Sequence, residues 1–366
     1  MRVIISGGGT GGHIFPALAI ADAIKKDVPG SEILFVGAKG RMEMERVPKA
    51  GYPIEGLWIS GFQRKLSLKN LSFPFKLISS LLKASKILKR FKPDVVIGVG
   101  GYASGPTLEM AVRMNIPTLI QEQNSFPGIT NRLLGSKVNR ICVAFEGLER
   151  FFPKDKLVLT GNPVRADLKE MDAVEMRKAA MDFYELDPSK KTILIVGGSL
   201  GARTLNEAMK ENFELLKSRT DIQVLWQAGK IYEAQFRTSE TAQLDQVKLL
   251  AFLERMDLAY AAADVVIGRA GALTISELCL LGKPSILVPS PNVAEDHQTK
   301  NCKALVAKDA AILVKDSNAG QVIKTALDVL DTKGKAETLS RNILSLALPD
   351  ATENIVKEIK SLVHRG

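Results

Sequence analysis

The sequence predicts an α/β protein made of two Rossmann-like domains, each with a parallel sheet covered by helices. Short apolar runs alternate with amphipathic stretches along the 366 residues, which is typical of βαβ units around a buried parallel sheet. The chain also repeats itself. "RVIISGGGTGGH" from residue 2 matches "TILIVGGSLGAR" from residue 192, and "DVVIGVGGYASGP" from Asp94 matches "DVVIGRAGALTIS" from Asp264. Because such folds bind ligands at the carboxyl ends of their strands, we expect a cleft between two domains. One large doubly wound sheet is the alternative.

The domain boundaries follow from where the repeat is interrupted. "TGNPVRADL" at 160–168 contains Gly and Pro, which predicts the linker. We therefore assign 1–163 to the N-terminal domain and 164–344 to the C-terminal domain, and we expect the final helix, about 345–366, to pack back on the first domain. The interval between repeat motifs is longer in the first half, which predicts an insertion there.

Composition and charge narrow the class of protein. No stretch approaches the ~20 apolar residues that span a bilayer, and no targeting leader precedes the first strand. Cys142, Cys279 and Cys302 lack the spacing of a metal site, which suits a reducing cytoplasm. The net charge is +10, and no acidic residue occurs between Gly56 and Pro93 although nine basic residues do. This local basicity indicates a surface with a partner.

The first half contains two glycine-rich loops at predicted strand ends. Gly7, Gly9 and Gly12 satisfy G-x-G-x-x-G, but the tip of the second strand reads Val36-Gly37-Ala38, with no carboxylate for a ribose. This disfavours NAD. Backbone N–H groups at a helix N-terminus still suit a phosphate. The first loop and "GVGGYASGP" (98–106) therefore predict an anion site, with two tight turns as the alternative.

The second half repeats this arrangement. In "GGSLGAR" (197–203), Ser199 is able to donate to a phosphate, and "RAGALTISE" (269–277) opens another predicted helix. Glu277 lies within that helix, where its carboxylate is able to accept both hydroxyls of a ribose. A solvated glutamate is the alternative, but the Gly-Ala helix start favours a nucleotide.

Together these motifs resemble those of the MurG family, the peptidoglycan N-acetylglucosaminyltransferases of the GT-B fold. The matching segments run in family order from residue 7 to 355: "GGGTGGHIFPALAIA", "ISGFQRK", "KPDVVIGVGGYASGP", "QEQN", "GNPVR", "GGSLGAR", "RAGALTISE", "DHQTKN" and "PDATENI". The resemblance implies inverting transfer of N-acetylglucosamine from UDP-N-acetylglucosamine. The implied acceptor is the C4 hydroxyl of N-acetylmuramyl-(pentapeptide)-pyrophosphoryl-undecaprenol (lipid I), and the product is lipid II for peptidoglycan.

The resemblance also implies a location and a set of partners. It implies a peripheral enzyme at the cytoplasmic face of the bacterial plasma (inner) membrane. Other cell-wall synthesis or division proteins are further expected partners, and nucleic acid is not. No Asp-x-Asp occurs to hold a metal on the diphosphate, so we expect no metal and no other cofactor. Helix N-termini and Arg165 of "NPVR" are expected to meet the charge of the leaving group.

Site residues are implied by the same resemblance. UDP-N-acetylglucosamine is expected to contact Thr10, Gly11, Gly12, Asn124, Arg165, Ser199, Leu253 (through its backbone), Ala272, Leu273, Thr274, Ile275, Ser276, Glu277 and Gln298. The acceptor pyrophosphate is expected to contact Gly9, Gly100, Gly101, Tyr102 and Ser104. Gln121 departs from the family, which often has His there, whereas Glu122, Gln123 and Asn124 match. His297 is the alternative to Gln298 at the sugar.

Inverting transfer needs a base that removes the proton of the acceptor hydroxyl. Histidine suits this task because its ordinary pKa of about 6.5 leaves it largely neutral in the cytoplasm. His13 lies at a predicted helix N-terminus, whose dipole disfavours the imidazolium form. We therefore predict that His13 is the catalytic base. Glu122 is the rival base, and a packing or phosphate-binding role is the alternative for His13.

The acid-free segment predicts a membrane contact. After Pro74, one helical stripe is expected in the core and another is basic; the first comprises Leu77, Leu81, Ala84, Leu88 and Phe91, and the second comprises Lys76, Lys83, Lys86 and Arg90. Apolar groups beside cations would remain exposed: Leu66, Leu68, Leu71, Phe73 and Phe75 with Lys65, Lys69 and Lys76. Such a surface suits docking on an anionic membrane, with a solvated amphipathic helix as the alternative.

Two rival functions remain. A nucleic-acid-binding protein would use the basic segment, but its phenylalanines do not form a stacking platform on strands, and the glycine loops would be unexplained. Another GT-B nucleotide-sugar glycosyltransferase with a different lipid acceptor is the closer rival.

Overall fold

A computed structural model describes residues 1–61, 72–164, 168, 173–198 and 200–363 of the chain. The chain divides into two compact units. The first comprises Met1–Val164 together with Leu348–Gly366, and the second comprises Arg165–Ala347.

The first unit is built on a seven-stranded parallel sheet in the order β3-β2-β1-β4-β5-β6-β7. Its strands are β1 (Arg2–Ser6), β2 (Glu32–Ala38), β3 (Ile54–Leu57), β4 (Val95–Gly98), β5 (Thr118–Glu122), β6 (Arg140–Val143) and β7 (Leu157–Leu159). The central strand β1 pairs with β2 on one side and β4 on the other, so that Val3 lies beside Ile33 and Val95. The strand order reverses between β1 and β4, and this switch point is where ligands bind in open α/β sheets.

Helices cover both faces of this sheet. They are α1 (Gly11–Asp27), α2 (Glu43–Lys49), α3 (Phe73–Phe91), α4 (Ser104–Arg113) and α5 (Ile129–Leu134). Alternate residues of each strand enter two separate cores. Val3 and Ile5 pack with Ile20 of α1 in one core, and Ile4 packs with Leu88 of α3 in the other. Burial on both faces explains why the strands are continuous apolar runs.

The second unit repeats the plan with a six-stranded parallel sheet in the order β10-β9-β8-β11-β12-β13. Its strands are β8 (Lys191–Val196), β9 (Ile222–Gln227), β10 (Val247–Leu250), β11 (Val265–Gly268), β12 (Ser285–Leu287) and β13 (Ile312–Leu313). Its helices are α6 (Ala173–Tyr184), α7 (Arg203–Glu211), α8 (Phe213–Lys217), α9 (Glu233–Arg237), α10 (Met256–Ala262), α11 (Ala272–Leu280), α12 (His297–Val306), α13 (Val322–Asp331) and α14 (Lys335–Leu344). The switch point of this sheet lies between β8 and β11.

The predicted fold class is confirmed, because two parallel sheets with flanking helices stand where the sequence repeats itself. The matched motifs follow equivalent strands: the first pair follows β1 and β8, and the second follows β4 and β11. The extra length of the first half also has a structural counterpart. Between β3 and β4 the chain forms the 19-residue helix α3, whereas between β10 and β11 it forms the 7-residue helix α10.

The last helix, α15 (Ala351–Val363), belongs to the first unit. Its apolar side chains Ile355, Val356, Ile359 and Leu362 join the core that contains Val3 and Ile20. Glu358 forms an ion pair with Arg140 of β6, with a distance of 3.0 Å between Oε2 and Nε. The chain therefore returns to its first unit at the end of the second.

Two properties concern the described residues as a whole. None of their helices has the length and apolarity needed to cross a membrane. In the same residues, no cluster of three or more His, Cys, Asp or Glu side chains is arranged to hold a metal ion.

Candidate functional site

Two glycine loops meet at the switch point of the first unit. The N–H of Gly8 donates to the carbonyl oxygen of Gly100 at 3.3 Å. A side chain on Gly101 would place its Cβ 2.4 Å from the Gly8 oxygen, and one on Gly7 would lie 2.2 Å from Val99. Gly101 also has a φ of +88°, which favours glycine. These glycines are therefore required by backbone contact between the loops, in addition to any role towards a ligand.

The first loop also binds a carboxylate of the protein itself. Glu43, the first residue of α2, is 1% exposed. Its Oε2 accepts the N–H of Gly9 at 2.8 Å, and its Oε1 accepts the N–H of Ala38 at 3.0 Å. The N–H of Gly9 is therefore already bound within the protein, which disfavours the predicted contact of this group with the acceptor pyrophosphate.

His13 lies in the first turn of α1 and is half-buried. Its Nδ1 is 3.0 Å from the carbonyl oxygen of Gly8 and 3.4 Å from the hydroxyl oxygen of Thr10. A carbonyl only accepts hydrogen bonds, so the contact with Gly8 requires a proton on Nδ1 and leaves the lone pair on Nε2. Nε2 points towards Gly100, where a Cβ would lie 2.9 Å away. Thr10 and Gly12, beside it, are exposed.

Glu122, at the end of β5, is buried and fully engaged. Its Oε1 accepts from the backbone N–H of Asn124 at 3.0 Å and from the Asn124 side chain at 3.2 Å. Its Oε2 accepts from the N–H of Gly128 at 3.1 Å and from Nδ2 of Asn131 at 2.8 Å. Burial raises the pKa of Glu122, although the four N–H donors favour the ionised form. The arrangement makes Glu122 an anchor for Asn124 and disfavours it as the base.

The second loop of the first unit provides an exposed side chain and a buried one. Tyr102 is 46% exposed, and its ring lies against the backbone of Gly61. Ser104, by contrast, is 0% exposed, and its hydroxyl faces Gly98 and has no hydrogen-bond partner among the described residues. The hydroxyl of Ser104 is therefore not exposed to a ligand, so only its backbone is suited to the predicted pyrophosphate contact.

The position that departs from the family pattern is also internal. Gln121 is 0% exposed and donates from Nε2 to Oδ1 of Asn162 at 2.9 Å. Gln123 donates to the carbonyl oxygen of Val99 at 2.9 Å, which ties β5 to the second glycine loop. Gln123 therefore supports the loop from within the sheet, and Gln121 is bound to Asn162.

In the second unit, a neutral side chain holds the corresponding glycine loop. Gln227, at the end of β9, accepts the N–H of Gly197 at 3.0 Å and donates to the carbonyl oxygen of Gly198 at 3.0 Å. The loop lies against the backbone after β9, because a Cβ on Gly201 would be 2.1 Å from the oxygen of Ala228. Arg165 and Ser199 are outside the described residues, so their predicted nucleotide contacts are not described.

Helix α11 begins at the switch point of the second unit, directly after Gly271. Glu277 is partly exposed on this helix, and its Oε2 accepts the hydroxyl of the buried Tyr260 at 2.9 Å. Ala272, Leu273 and Thr274 are also partly exposed.

Two other predicted residues of α11 are committed elsewhere. The side chain of Ile275 is 1% exposed and lies in the core, so only its backbone is suited to the predicted contact. The hydroxyl of Ser276 donates to the carbonyl oxygen of Ala272 at 3.1 Å.

The remaining predicted nucleotide-sugar residues also follow strands of the second sheet. Leu253 is 6% exposed and follows β10, so only its backbone is suited to a ligand contact. Gln298 lies at the start of α12, and its Oε1 accepts the N–H of Ser290 at 2.8 Å. His297 is the first residue of that helix. Because the carboxyl ends of parallel strands share one edge, these residues lie on the same side of the sheet as Glu277.

Helix α3 has cations that contact the rest of the first unit and apolar side chains that are exposed. Three cations face strand β3 and the loop after it. Lys76 donates to the hydroxyl of Ser60 at 3.1 Å and lies 5.7 Å from the Trp58 ring centroid. Lys83 donates to the Gly56 carbonyl oxygen at 2.8 Å, and Arg90 is paired with Glu55. The predicted core stripe is confirmed at four of its five positions, because Ala84 and Leu88 are buried, and Leu77 and Phe91 pack partly buried against the core. The fifth residue, Leu81, is partly exposed.

The exposed face of α3 is apolar. Phe75, Ile78 and Leu82 are 71%, 58% and 63% exposed, and their spacing places them on one stripe. Lys86 and Lys89 are exposed on the same helix. Phe73 packs against the core instead, which corrects its assignment to the membrane surface. The predicted residues Lys65, Leu66, Leu68, Lys69 and Leu71 are outside the described residues.

Sequence reasoning missed four residues that organise the site: Glu43, Asn131, Gln227 and Tyr260. Each is buried or nearly so and acts through a hydrogen bond to a residue distant in the sequence. The only available signal was polarity at positions that end a strand or begin a helix, such as Gln227 and Glu43. That signal is weak without the strand order.

Paired units of this kind, each with a glycine loop at its switch point, define the two-domain GT-B class of glycosyltransferases. The chain matches the glycosyltransferase family 28 N-terminal domain over residues 3–143 and the glycosyltransferase family 28 C-terminal domain over residues 192–355.

Relatives from two bacteria are similar over nearly their whole length. The chain is 55% identical to a protein of Flavobacterium psychrophilum over 363 residues, which cover 99% of this chain and 98% of the relative. It is 56% identical to one of Cytophaga hutchinsonii over 366 residues, which cover 99% and 97%. Both are named UDP-N-acetylglucosamine–N-acetylmuramyl-(pentapeptide) pyrophosphoryl-undecaprenol N-acetylglucosamine transferase.

A solved structure supports the same assignment. The crystal structure of MurG from Acinetobacter baumannii aligns with a TM-score of 0.80 at 30% identity, covering 98% of this chain and 99% of that one. The chain therefore belongs to glycosyltransferase family 28, in its MurG branch.

The contact between the two loops of the first unit is testable by adding one methyl group. In Gly101→Ala, the new Cβ would lie 2.4 Å from the Gly8 oxygen at a φ of +88°. We expect the free energy of unfolding to fall by about 1–3 kcal/mol, measured by urea denaturation. The control is Gly128→Ala, because Gly128 has a φ of −62° and nothing within 4 Å of an added Cβ. Equal stability of the two variants would contradict the contact.

Proposed function

We propose that this protein transfers N-acetylglucosamine from UDP-N-acetylglucosamine to the C4 hydroxyl of the muramyl group of lipid I, with inversion, to give lipid II. The names of relatives that share about half of its residues over the whole chain support this reaction. The observation that carries the proposal is the repeated glycine loop. Each unit has one at the switch point of its own sheet, so each sheet has a place for a phosphate-containing ligand.

The second unit is assigned to the nucleotide sugar. The start of α11 offers backbone N–H groups and the positive end of a helix dipole to the diphosphate. Glu277 is suited to the ribose, since a carboxylate accepts hydrogen bonds from hydroxyl groups and the hydroxyl of Tyr260 helps to fix its orientation. The loop after β8 is held by the neutral Gln227, and among the described residues no carboxylate accepts a hydrogen bond from that loop. These groups stabilise the charge that develops on departing UDP.

The first unit is assigned to the acceptor and the base. His13 has its proton on Nδ1 when it donates to Gly8, so its Nε2 is able to accept a proton. As the C4 oxygen bonds to C1 of the sugar, its proton passes to Nε2. The bond between C1 and the UDP oxygen breaks, and its electron pair leaves with UDP.

The acceptor pyrophosphate is assigned to the second loop of the first unit rather than to Gly9. The Glu43 carboxylate beside Gly9 would repel a pyrophosphate. Gly100 and Gly101 have no comparable anion bound among the described residues, and Tyr102 is exposed beside them. Asn124, which Glu122 holds in place, is assigned to the sugar.

The exposed apolar stripe of α3 is assigned to a membrane surface. A peripheral protein that acts on a lipid-linked acceptor must approach the bilayer, and Phe75, Ile78 and Leu82 present apolar side chains beside exposed lysines. This composition suits insertion among the head groups of an anionic leaflet. The cytoplasmic leaflet is the proposed location, because it is anionic and UDP-N-acetylglucosamine is made in the cytoplasm.

The transfer reaction is tested by measuring UDP release from UDP-N-acetylglucosamine with and without a lipid I analogue. We expect release only when both substrates are present, and a disaccharide product in equal amount by mass spectrometry. Acceptor-independent release would indicate a hydrolase. Release with a different lipid-linked acceptor, and none with the lipid I analogue, would indicate another acceptor specificity.

The role of His13 is tested by His13→Ala. We expect kcat to fall by about 10²-fold or more, which is the usual contribution of a general base. UDP binding, measured by calorimetry, should stay unchanged, because the nucleotide is assigned to the other unit. Turnover close to that of the wild type would remove His13 from the mechanism.

Membrane docking is tested by the double variant Ile78→Ser/Leu82→Ser. We expect binding to phosphatidylglycerol-containing vesicles to fall about tenfold or more, because two apolar side chains leave the interface. Turnover of a short-chain soluble acceptor should not change. The matched control is Phe183→Ser/Leu344→Ser, which removes two exposed apolar side chains from the second unit. Equal vesicle binding by the two double variants would contradict the assignment.

A further inference from the structure

One peptide group in the first glycine loop is hydrogen-bonded at both ends. Its N–H belongs to Gly9 and donates to Oε2 of Glu43 at 2.8 Å. Its carbonyl belongs to Gly8 and lies 3.0 Å from Nδ1 of His13. A carboxylate, a peptide and an imidazole therefore form one chain of hydrogen bonds.

Glu43 and the loop are built around each other. A Cβ on Gly8 would lie 2.3 Å from the carboxyl carbon of Glu43, and one on Gly37 would lie 2.6 Å from its Cγ. The side chain is 1% exposed, and in the described part of the chain no Lys or Arg forms an ion pair with it. A buried carboxylate without a cation depends on its N–H donors. Its two carboxylate oxygens accept hydrogen bonds from the N–H groups of Gly9 and Ala38.

We propose that Glu43 is a positioning residue for His13 and acts through the Gly8–Gly9 peptide. A negative charge at the N–H of a peptide polarises it and makes its carbonyl a stronger acceptor. The stronger carbonyl holds the proton of His13 on Nδ1 and keeps the lone pair on Nε2. It also stabilises the imidazolium that forms when Nε2 takes a proton.

The arrangement resembles the buried carboxylate that orients the histidine of a Ser-His-Asp triad, with a peptide inserted between the two groups. Glu43 itself takes no proton at any step. Gly100 completes the geometry, because a side chain there would fill the space next to Nε2. The inference rests on the proposed role of His13 as the base.

Nitrogen NMR of histidine-labelled protein tests this inference directly. The chain has three histidines, and the His13→Gln variant identifies the signals of His13. The chemical shifts of the two ring nitrogens distinguish the Nδ1–H from the Nε2–H form. In the wild-type protein we expect the Nδ1–H form.

The Glu43→Gln variant keeps the size of the side chain and removes its charge. We expect the Nε2–H form of His13 to become populated. We also expect kcat to fall by about tenfold or more, the scale on which indirect partners of reactive groups act, with KM for both substrates within about twofold, because no binding group changes. The Glu43→Asp variant, which keeps the charge, should restore part of kcat. The matched control is Glu45→Gln, an exposed position on the same helix, which should change neither measurement.

Two results would overturn the inference: a wild-type His13 protonated on Nε2, or a Glu43→Gln variant with the tautomer and kcat of the wild type. Neither would affect the proposed transfer reaction, which is measured as acceptor-dependent UDP release by the wild-type protein. Conversely, loss of that reaction would leave the tautomer measurement interpretable.

Discussion

The site of the first unit depends on a backbone contact between two loops, which follow the neighbouring strands β1 and β4. The loops touch through Gly8 and the Gly100–Gly101 pair, and there is no room for a Cβ at Gly101. This contact fixes where α1 begins, and therefore where the imidazole of His13 lies. The same glycines look like a dinucleotide fingerprint in the sequence, because close approach of a backbone to a phosphate and to another backbone impose the same requirement on the residue.

The two glycine loops differ in the internal side chain that accepts a hydrogen bond from their backbone N–H groups. In the first unit this group is the carboxylate of Glu43, and in the second it is the amide of Gln227. Each backbone N–H group is a single hydrogen-bond donor, so an N–H group that is bound within the protein is not available to a ligand. An anion behind the first loop favours a positively charged intermediate such as an imidazolium. The amide of Gln227, which holds the second loop, is neutral and does not repel a diphosphate. This difference matches the proposed roles of the two units, in which the first provides the base and the second binds the nucleotide sugar.

The sequence predicted the fold better than the details of the site, for a physical reason. Strand runs, glycine positions and the repeat are local patterns, and they were sufficient for two Rossmann-like units and for loops at both switch points. The role of Glu43 is not local: it lies 34 residues from Gly9, on the first turn of a helix where a glutamate is usually solvated. The burial of the Ser104 and Ile275 side chains was not predicted, because a motif identifies which residues begin a helix but not which of their side chains are buried. Only the packing of α4 and α11 decides that orientation.

Helix α3 shows how the same limit affects a surface. Its sequence separates a core stripe from a basic stripe, and a basic stripe would ordinarily be assigned to solvent. Here Lys76, Lys83 and Arg90 lie against Ser60, Gly56 and Glu55, so their charges are used within the unit. The helix can then expose Phe75, Ile78 and Leu82 without losing solubility, because cations remain at Lys86 and Lys89. An apolar stripe on a helix costs free energy when it is exposed to water. The proposed partner, an anionic lipid surface, accepts apolar and cationic groups together.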